Sequence, residues 1–335
     1  MQRDTSIVNE KRIGQDFMGL FRRFEDQSKE NNVSPSDVKL SQSSTVVNTR
    51  AAEDNNITIR APTAIYTVKV AVLIDSGVWD LYSAMVPSSF SLTRSRKVKE
   101  KIRQSFSHIM NGADMRYKRI QDSSISITVI LSNFVYFKKK SEFKFYNSKV
   151  LVVNGTEYLD STNFLLDILI WDQDIGKKLS PQFDNAMMFT RLLLKSESKQ
   201  THNVCNVGKR ISIVRATDYL FTSLGAAHEL GHSLGASHDG EDGARACSAN
   251  DYYIMTPKEP GIHPSIPYPT NLWTFSRCSI EAFKRVLRTK DCVKKPGNLY
   301  NADEYTKFIQ QEPGEAYSLN HQCHVILGPG STYCG

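Results

Sequence analysis

Residues 228–240 read HELGHSLGASHDG. His228 and His232 stand four apart, so on a helix they project from one face, a turn from each other. Two imidazoles placed this way reach a single metal ion at about 2.0–2.1 Å. Gly235 comes three residues later and accepts a positive φ, which ends a helix sharply and lets the chain turn back. His238 then supplies a third nitrogen from below. Three neutral ligands leave a fourth tetrahedral position for water, the pattern of a zinc site that does chemistry rather than one that only cross-links. Glu229, beside the first ligand and about 100° round the helix, is placed to take a proton from that water and return it to a leaving amine. Zinc brings the pKa of such a water towards about 7 and polarises a carbonyl. These parts together describe hydrolysis of an amide bond.

A bare HExxH arises often by chance, and alone it would suit a surface helix carrying two histidines. With Gly235 and His238 added, accident falls to the order of once in 10⁵ chains of this length. The extended pattern is therefore read as a site.

The ligands need a helix with a firm start and stop. Asp218–Leu234 supplies it, with Thr217 or Asp218 as N-cap, Gly235 as the stop, and Leu220, Leu224, Ala227 and Leu234 turned towards a core. Upstream the pattern is α/β. Ile65–Ile74 is β-branched and apolar like a buried strand, and Ile125–Phe137 alternates as a second. Val150–Val153, Ala186–Arg191 and Arg210–Val214 read as further strands. Lys97–Arg119 carries Val98, Ile102, Phe106, Ile109 and Met110 at helical spacing, and Glu157–Leu179 is expected to be helical. A last helix is expected over Ser279–Arg288, after a long irregular stretch at 239–277. Residues 27–56 are rich in Ser, Asn, Asp, Glu and Lys, and Ala61-Pro62 marks a boundary.

The six cysteines stand at 205, 247, 278, 292, 323 and 334, widely spaced and without a CxxC pair. An even set gathered in one part of the chain reads as three disulfides in an oxidising, extracellular setting. Sequons at Asn32, Asn56 and Asn154 agree with secretion. Residues 1–30 lack an apolar signal segment, and the simplest account is a partial sequence. No run approaches the roughly 20 apolar residues of a membrane span. The net charge of +7 draws on residues 94–103, 138–140 and 294–295. It reads as solvated surface, or as weak affinity for a polyanion such as a sulfated glycan. No helix-turn-helix, RNP or finger spacing points to nucleic acid.

The extended histidine motif resembles that of the metzincins. Met255, in YIMTP, follows His238 by 17 residues and matches that clan's structural Met-turn. Asp239 after the third histidine, residues 183–191 (FDNAMMFTR) and residues 275–279 (FSRCS) are similar to the adamalysin (reprolysin) branch, which includes snake-venom metalloproteases and the ADAM proteins. Residues 313–334 resemble the start of the disintegrin-like module of ADAM proteases with thrombospondin motifs, and secreted tick salivary metalloproteases carry a similar segment. The resemblance implies an α/β (α+β) metzincin catalytic domain: a mixed twisted sheet, a long active-site helix and a smaller irregular lower subdomain. Its implied layout is a polar amino-terminal region at 1–62, a catalytic domain at 63–296, and the truncated start of a cysteine-containing tail module at 297–335.

By the same resemblance Cys205 pairs with Cys292 and Cys247 with Cys278. Cys323 and Cys334 pair with each other or with cysteines beyond this stretch, or remain free or intermolecular thiols. It also implies one catalytic Zn²⁺ and allows a structural Ca²⁺, with Asp184 and the backbone near Cys292 as candidates, although Asp184 equally suits a capping or surface role. His108, His202, His263, His321 and His324 lack ligand spacing to the site and read as surface or loop residues. Lys195–Asn203 lacks the Gly-x-Ala of the clan's substrate-binding edge strand. The function expected is a secreted, monomeric endopeptidase acting on matrix or plasma proteins. The alternatives are an adhesion protein acting through the tail, or another kind of zinc hydrolase.

Overall fold

The computed structural model describes residues 63–90, 92–142, 149–179, 182–195, 204–257, 269–328 and 330–333. Ala61, Pro62, Asn32, Asn56, His202, His263 and Cys334 lie outside the described residues. The elements below belong to one compact unit, formed by residues 62–259 and 267–335.

Strand β1 (Ala64–Ile74) leads through helix α1 (Ser76–Ala84) and helix α2 (Arg94–Lys118) to strand β2 (Ile125–Tyr136). Strands β3 (Val150–Val153) and β4 (Thr156–Leu159) form a hairpin ahead of helix α3 (Ser161–Asp174). Then come β5 (Asn185–Thr190), the short β6 (Leu193–Leu194), β7 (Ile211–Arg215), helix α4 (Tyr219–Ser233) and helix α5 (Arg277–Leu287). Three short helices close the chain: α6 (Ala302–Ile309), α7 (Pro313–Ala316) and α8 (Leu319–Leu327). Among the described residues the main sheet runs β2-β1-β5-β7 with parallel pairings. A second, small sheet, β3-β4-β6, joins an antiparallel pair to a parallel one.

The main sheet is covered on both faces, as parallel sheets are. Period-two alternation sorts its side chains. Val68, Val70, Val72 and Ile74 of β1, with Met187 and Phe189 of β5, face the core that also holds Phe106 and Met110 of α2 and Leu230 of α4. Ala71, Leu73, Met188, Ile211 and Ile213 face the opposite core, against Phe164 and Ile168 of α3. Each fully buried side chain of this size contributes about 1.5–3 kcal/mol. The two faces thus hold β7, and with it the start of α4, between them.

Three expectations need correction. Residues 156–159 are a strand, not the start of a helix, because Asn154 and Gly155 adopt positive φ of 50° and 77° and make the hairpin turn. The helix begins only at Ser161, where Asp160 caps it by accepting from Asn163 N–H. Helix α5 is not the last, since α6–α8 pack back onto the unit: Tyr300 N–H donates to the Leu131 carbonyl at 2.8 Å and Arg103 grips Glu304 with two bonds of 2.7 Å. His108 is buried rather than on the surface, with Nδ1 at 2.5 Å from the Tyr317 hydroxyl and Nε2 at 3.0 Å from the Gln311 carbonyl. Its partners come from a segment some 200 positions away, which helical spacing in α2 does not foretell.

Candidate metal centre

Helix α4 starts where the sequence says it should: the Asp218 carboxylate accepts from Phe221 N–H at 3.0 Å. Helix α2 fixes it from behind. Arg116 donates to Ser223 Oγ at 3.1 Å, and the Tyr117 hydroxyl donates to the Ala227 carbonyl at 2.9 Å. Burial pushes the Arg116 guanidinium down to about 10, and its charge stacks 4.2 Å over the Trp273 ring. The face of α4 opposite to this contact carries His228 and His232.

The helix stops at Gly235, whose φ is +106°. A side chain there would also collide with Val286 of α5, so the turn is both left-handed and tightly enclosed. The reversal brings His238 under the helix. Its Nε2 stands 3.2 Å from that of His228 and 3.0 Å from that of His232, while the latter two are 3.2 Å apart.

The outer nitrogen of each ring decides what the inner one offers. His228 Nδ1 faces the Ile254 carbonyl at 2.7 Å, and His232 Nδ1 faces the Ala236 carbonyl at 2.8 Å. Carbonyls only accept, so both Nδ1 atoms carry the proton and both Nε2 atoms are bare. His238 Nδ1 lies 3.3 Å from Glu241 Oε2, again an acceptor. Burial, with His238 close by, pushes His228 down to about 4, keeping it neutral. Three lone pairs therefore point into one small space, which repels unless a cation sits there. Nitrogens about 2.05 Å from one ion at tetrahedral angles stand about 3.3 Å apart, and the observed spacings fit. His228, His232 and His238 would hold the zinc ion.

Glu229 is half-buried on the same turn of α4 as His228. Met255 is fully buried beneath the site. A Cβ added to Gly231 would come 2.5 Å from its sulfur, so the glycine between the two helical ligands makes room for the methionine. The Asp239 backbone N–H donates to the Met255 carbonyl at 2.9 Å, and its buried carboxylate accepts from Ser276 Oγ at 2.6 Å. The segment around Met255, the loop that carries His238 and the start of α5 are thus bonded into one block, cross-linked by Cys247–Cys278. The second disulfide joins Cys205 and Cys292, as the resemblance implied. Cys323 has no disulfide among the described residues.

Asp184, for which a capping or surface role was open, is buried and paired with Lys69 at 2.8 Å. Residues 196–203, most of the polar stretch Lys195–Asn203, and residues 258–268 lie outside the described residues. Sequence reasoning missed Glu241, whose place three residues after His238 was a usable signal. It also missed the carbonyls of Ile254 and Ala236, for which no sequence signal exists.

Comparison with known families gives a match to the model of the reprolysin (M12B) family zinc metalloproteases over residues 85–295, more than half of the chain. Among curated proteins, human "A disintegrin and metalloproteinase with thrombospondin motifs 20" is 29% identical over 190 residues, covering 52% of this chain and 9% of that protein. The mouse protein with the same title and the number 12 is 31% identical over 141 residues, covering 40% and 7%. A silkworm (Bombyx mori) "motifs like" protein is 24% identical over 268 residues, covering 69% and 35%. The chain therefore spans a small part of the curated relatives it matches.

Proposed function

We propose a function from one premise: the chain belongs to the reprolysin (M12B) family of zinc metalloproteases. It is a secreted endopeptidase that cuts extracellular proteins, of matrix or plasma, with Glu229 as general base. The observation that carries this reading is the convergence of three bare imidazole nitrogens within 3.0–3.2 Å of one another, with Glu229 next to His228 on the same turn of α4.

Zinc, when bound, supplies a Lewis acid that acidifies water and polarises the scissile carbonyl. The rest falls to the chain. His228, His232 and His238 hold their bare nitrogens towards one point because Ile254, Ala236 and Glu241 orient the outer ones. The Glu229 carboxylate takes a proton from the attacking water and hands it to the nitrogen of the departing amine. Met255 and Asp239 keep the floor of the site from shifting, which matters because sub-ångström placement governs such transfers.

Secretion is supported by two disulfides and by the exposed sequon at Asn154, on the turn of the β3–β4 hairpin. The catalytic domain is taken as residues 63–296, preceded by a pro-region remnant and followed by the start of a disintegrin-like module. Weak contact with a sulfated glycan is supported by the approach of two basic runs, Lys138 Nζ lying 3.4 Å from Ser95 Oγ at the start of α2. Helices among the described residues are not long and apolar enough to cross a membrane.

Purified protein should carry one zinc per chain by metal analysis, and phenanthroline should stop cleavage of an unfolded protein substrate while serine-protease reagents leave it intact. Metal-free protein, or cleavage indifferent to the chelator, would overturn the assignment.

A further inference from the structure

Asp184 and the backbone at Cys292 were the groups open to a structural calcium. The fold brings them to the middle of β1, where Lys69 already meets both. The Lys69 ammonium stands 2.8 Å from Asp184 Oδ2 and donates to the Cys292 carbonyl at 2.8 Å. The backbones lock the same pair: Lys69 N–H donates to Asp184 Oδ2 at 2.9 Å, and Asp184 N–H donates to the Lys69 carbonyl at 2.7 Å. The two side chains are only 13% and 4% exposed. The lysine stem is enclosed as well, since a Cβ on Gly297 would come 2.7–2.8 Å from its Cγ and Cδ. The nearby sulfurs of Cys205 and Cys292 are joined to each other and offer no thiolate.

We propose that the Lys69 ammonium serves here in place of a structural divalent cation, so that this junction needs no calcium. The oxygens present ask for positive charge. A carboxylate and a carbonyl, desolvated together, are stable only beside a cation. Calcium would demand six to eight oxygens at about 2.3–2.6 Å, and at this point it would meet a fixed ammonium of like charge. Lysine supplies one charge and three donors on a stem anchored in the central strand. Burial raises the Asp184 carboxyl, and Lys69 opposes that rise. The ammonium ties β1 to a carbonyl 223 positions later in the chain, at the residue that closes the Cys205–Cys292 bridge. None of the zinc-site histidines takes part, so the proposal stands apart from the proteolytic reading.

The test is thermal unfolding of the zinc-loaded full chain in calcium-free buffer and in millimolar CaCl₂, with calorimetric titration of CaCl₂ alone. The midpoint is expected to stay put and the titration to show no binding. Lys69→Met, which keeps the stem and removes the charge, should lower the midpoint by about 5–10 °C. Lys69→Glu should fall further in calcium-free buffer and recover with CaCl₂, because it adds a carboxylate where the ammonium was. A calcium-dependent rise in the parent's midpoint would overturn the proposal. So would Lys69→Met melting with the parent, and both measurements hold even if Lys69→Glu fails to fold.

Discussion

At residues 228–238 three imidazole rings meet at 3.0–3.2 Å, while at the middle of β1 a carboxylate and a carbonyl meet around an ammonium at 2.8 Å. Both clusters gather electron pairs in a desolvated space, and both need positive charge to be stable. They differ in who brings it. Lys69 grows from the strand that the acceptors flank, so the chain supplies its own cation at the second cluster. At the first, the outer nitrogens are tied to acceptors and the inner ones are left bare, so the charge must come from outside. Convergent ligands alone thus do not define a metal site. The protonation state of each ligand and the reach of neighbouring cations decide.

The sharpest break in this comparison is at Glu229. Glu229→Gln should cut kcat/KM on a peptide substrate by about 10²–10⁴-fold, with one zinc still bound; retained turnover would mean the carboxylate is a bystander of the ligand set. A smaller effect tests the outer nitrogens. Glu241→Ala should weaken zinc binding about tenfold in chelator competition, the low end of outer-sphere effects because Glu241 is 57% exposed. Asp242→Ala, one residue on, should leave affinity unchanged, and equal losses would reduce the effect to general charge.

The least effect is expected at a histidine that resembles the ligands in type only. His108 has both ring nitrogens engaged by protein, and burial lowers its pKa while the Gln311 carbonyl opposes the shift. The unfolded chain then binds more protons than the folded one below the ordinary value of about 6.5. Stability is therefore complete above that pH and declines as pH falls through it. Protection factors of the amides in residues 302–327, which correct hydrogen exchange for its slower intrinsic rate in acid, should fall on acidification towards pH 5, and His108→Leu should flatten that dependence. Glu312 and Tyr219 face the same pocket, with His321, itself pushed down to about 4 by burial, stacked on Tyr317. An unchanged pH profile in the variant would assign the response to those neighbours.

Much of the site was legible because it is local. The spacing of His228, His232, Gly235 and His238 is set by one helix and one turn, and short-range geometry fixes both ends of that arrangement. Strands β1, β2, β5 and β7 were legible from their apolar runs for a similar reason, within a residue or two at the ends. The hairpin at Asn154 was missed because the residues from 157 onward also fit a helical period, and a turn signal competed with it. Lys69 and His108 were beyond any local reading. A lysine in a strand and a histidine in an amphipathic helix look like surface residues until the fold names their partners.

The sequence by itself determined the chemistry on offer: three imidazoles, one carboxylate and the turn that lets them meet. Only the tertiary structure decided which nitrogen of each ring is bare, where Met255 rests against Gly231, and that Asp184 is already answered by an ammonium. The reason is range. Helical spacing acts over a handful of residues, whereas protonation and charge pairing depend on groups that folding brings in from as far as 223 positions away.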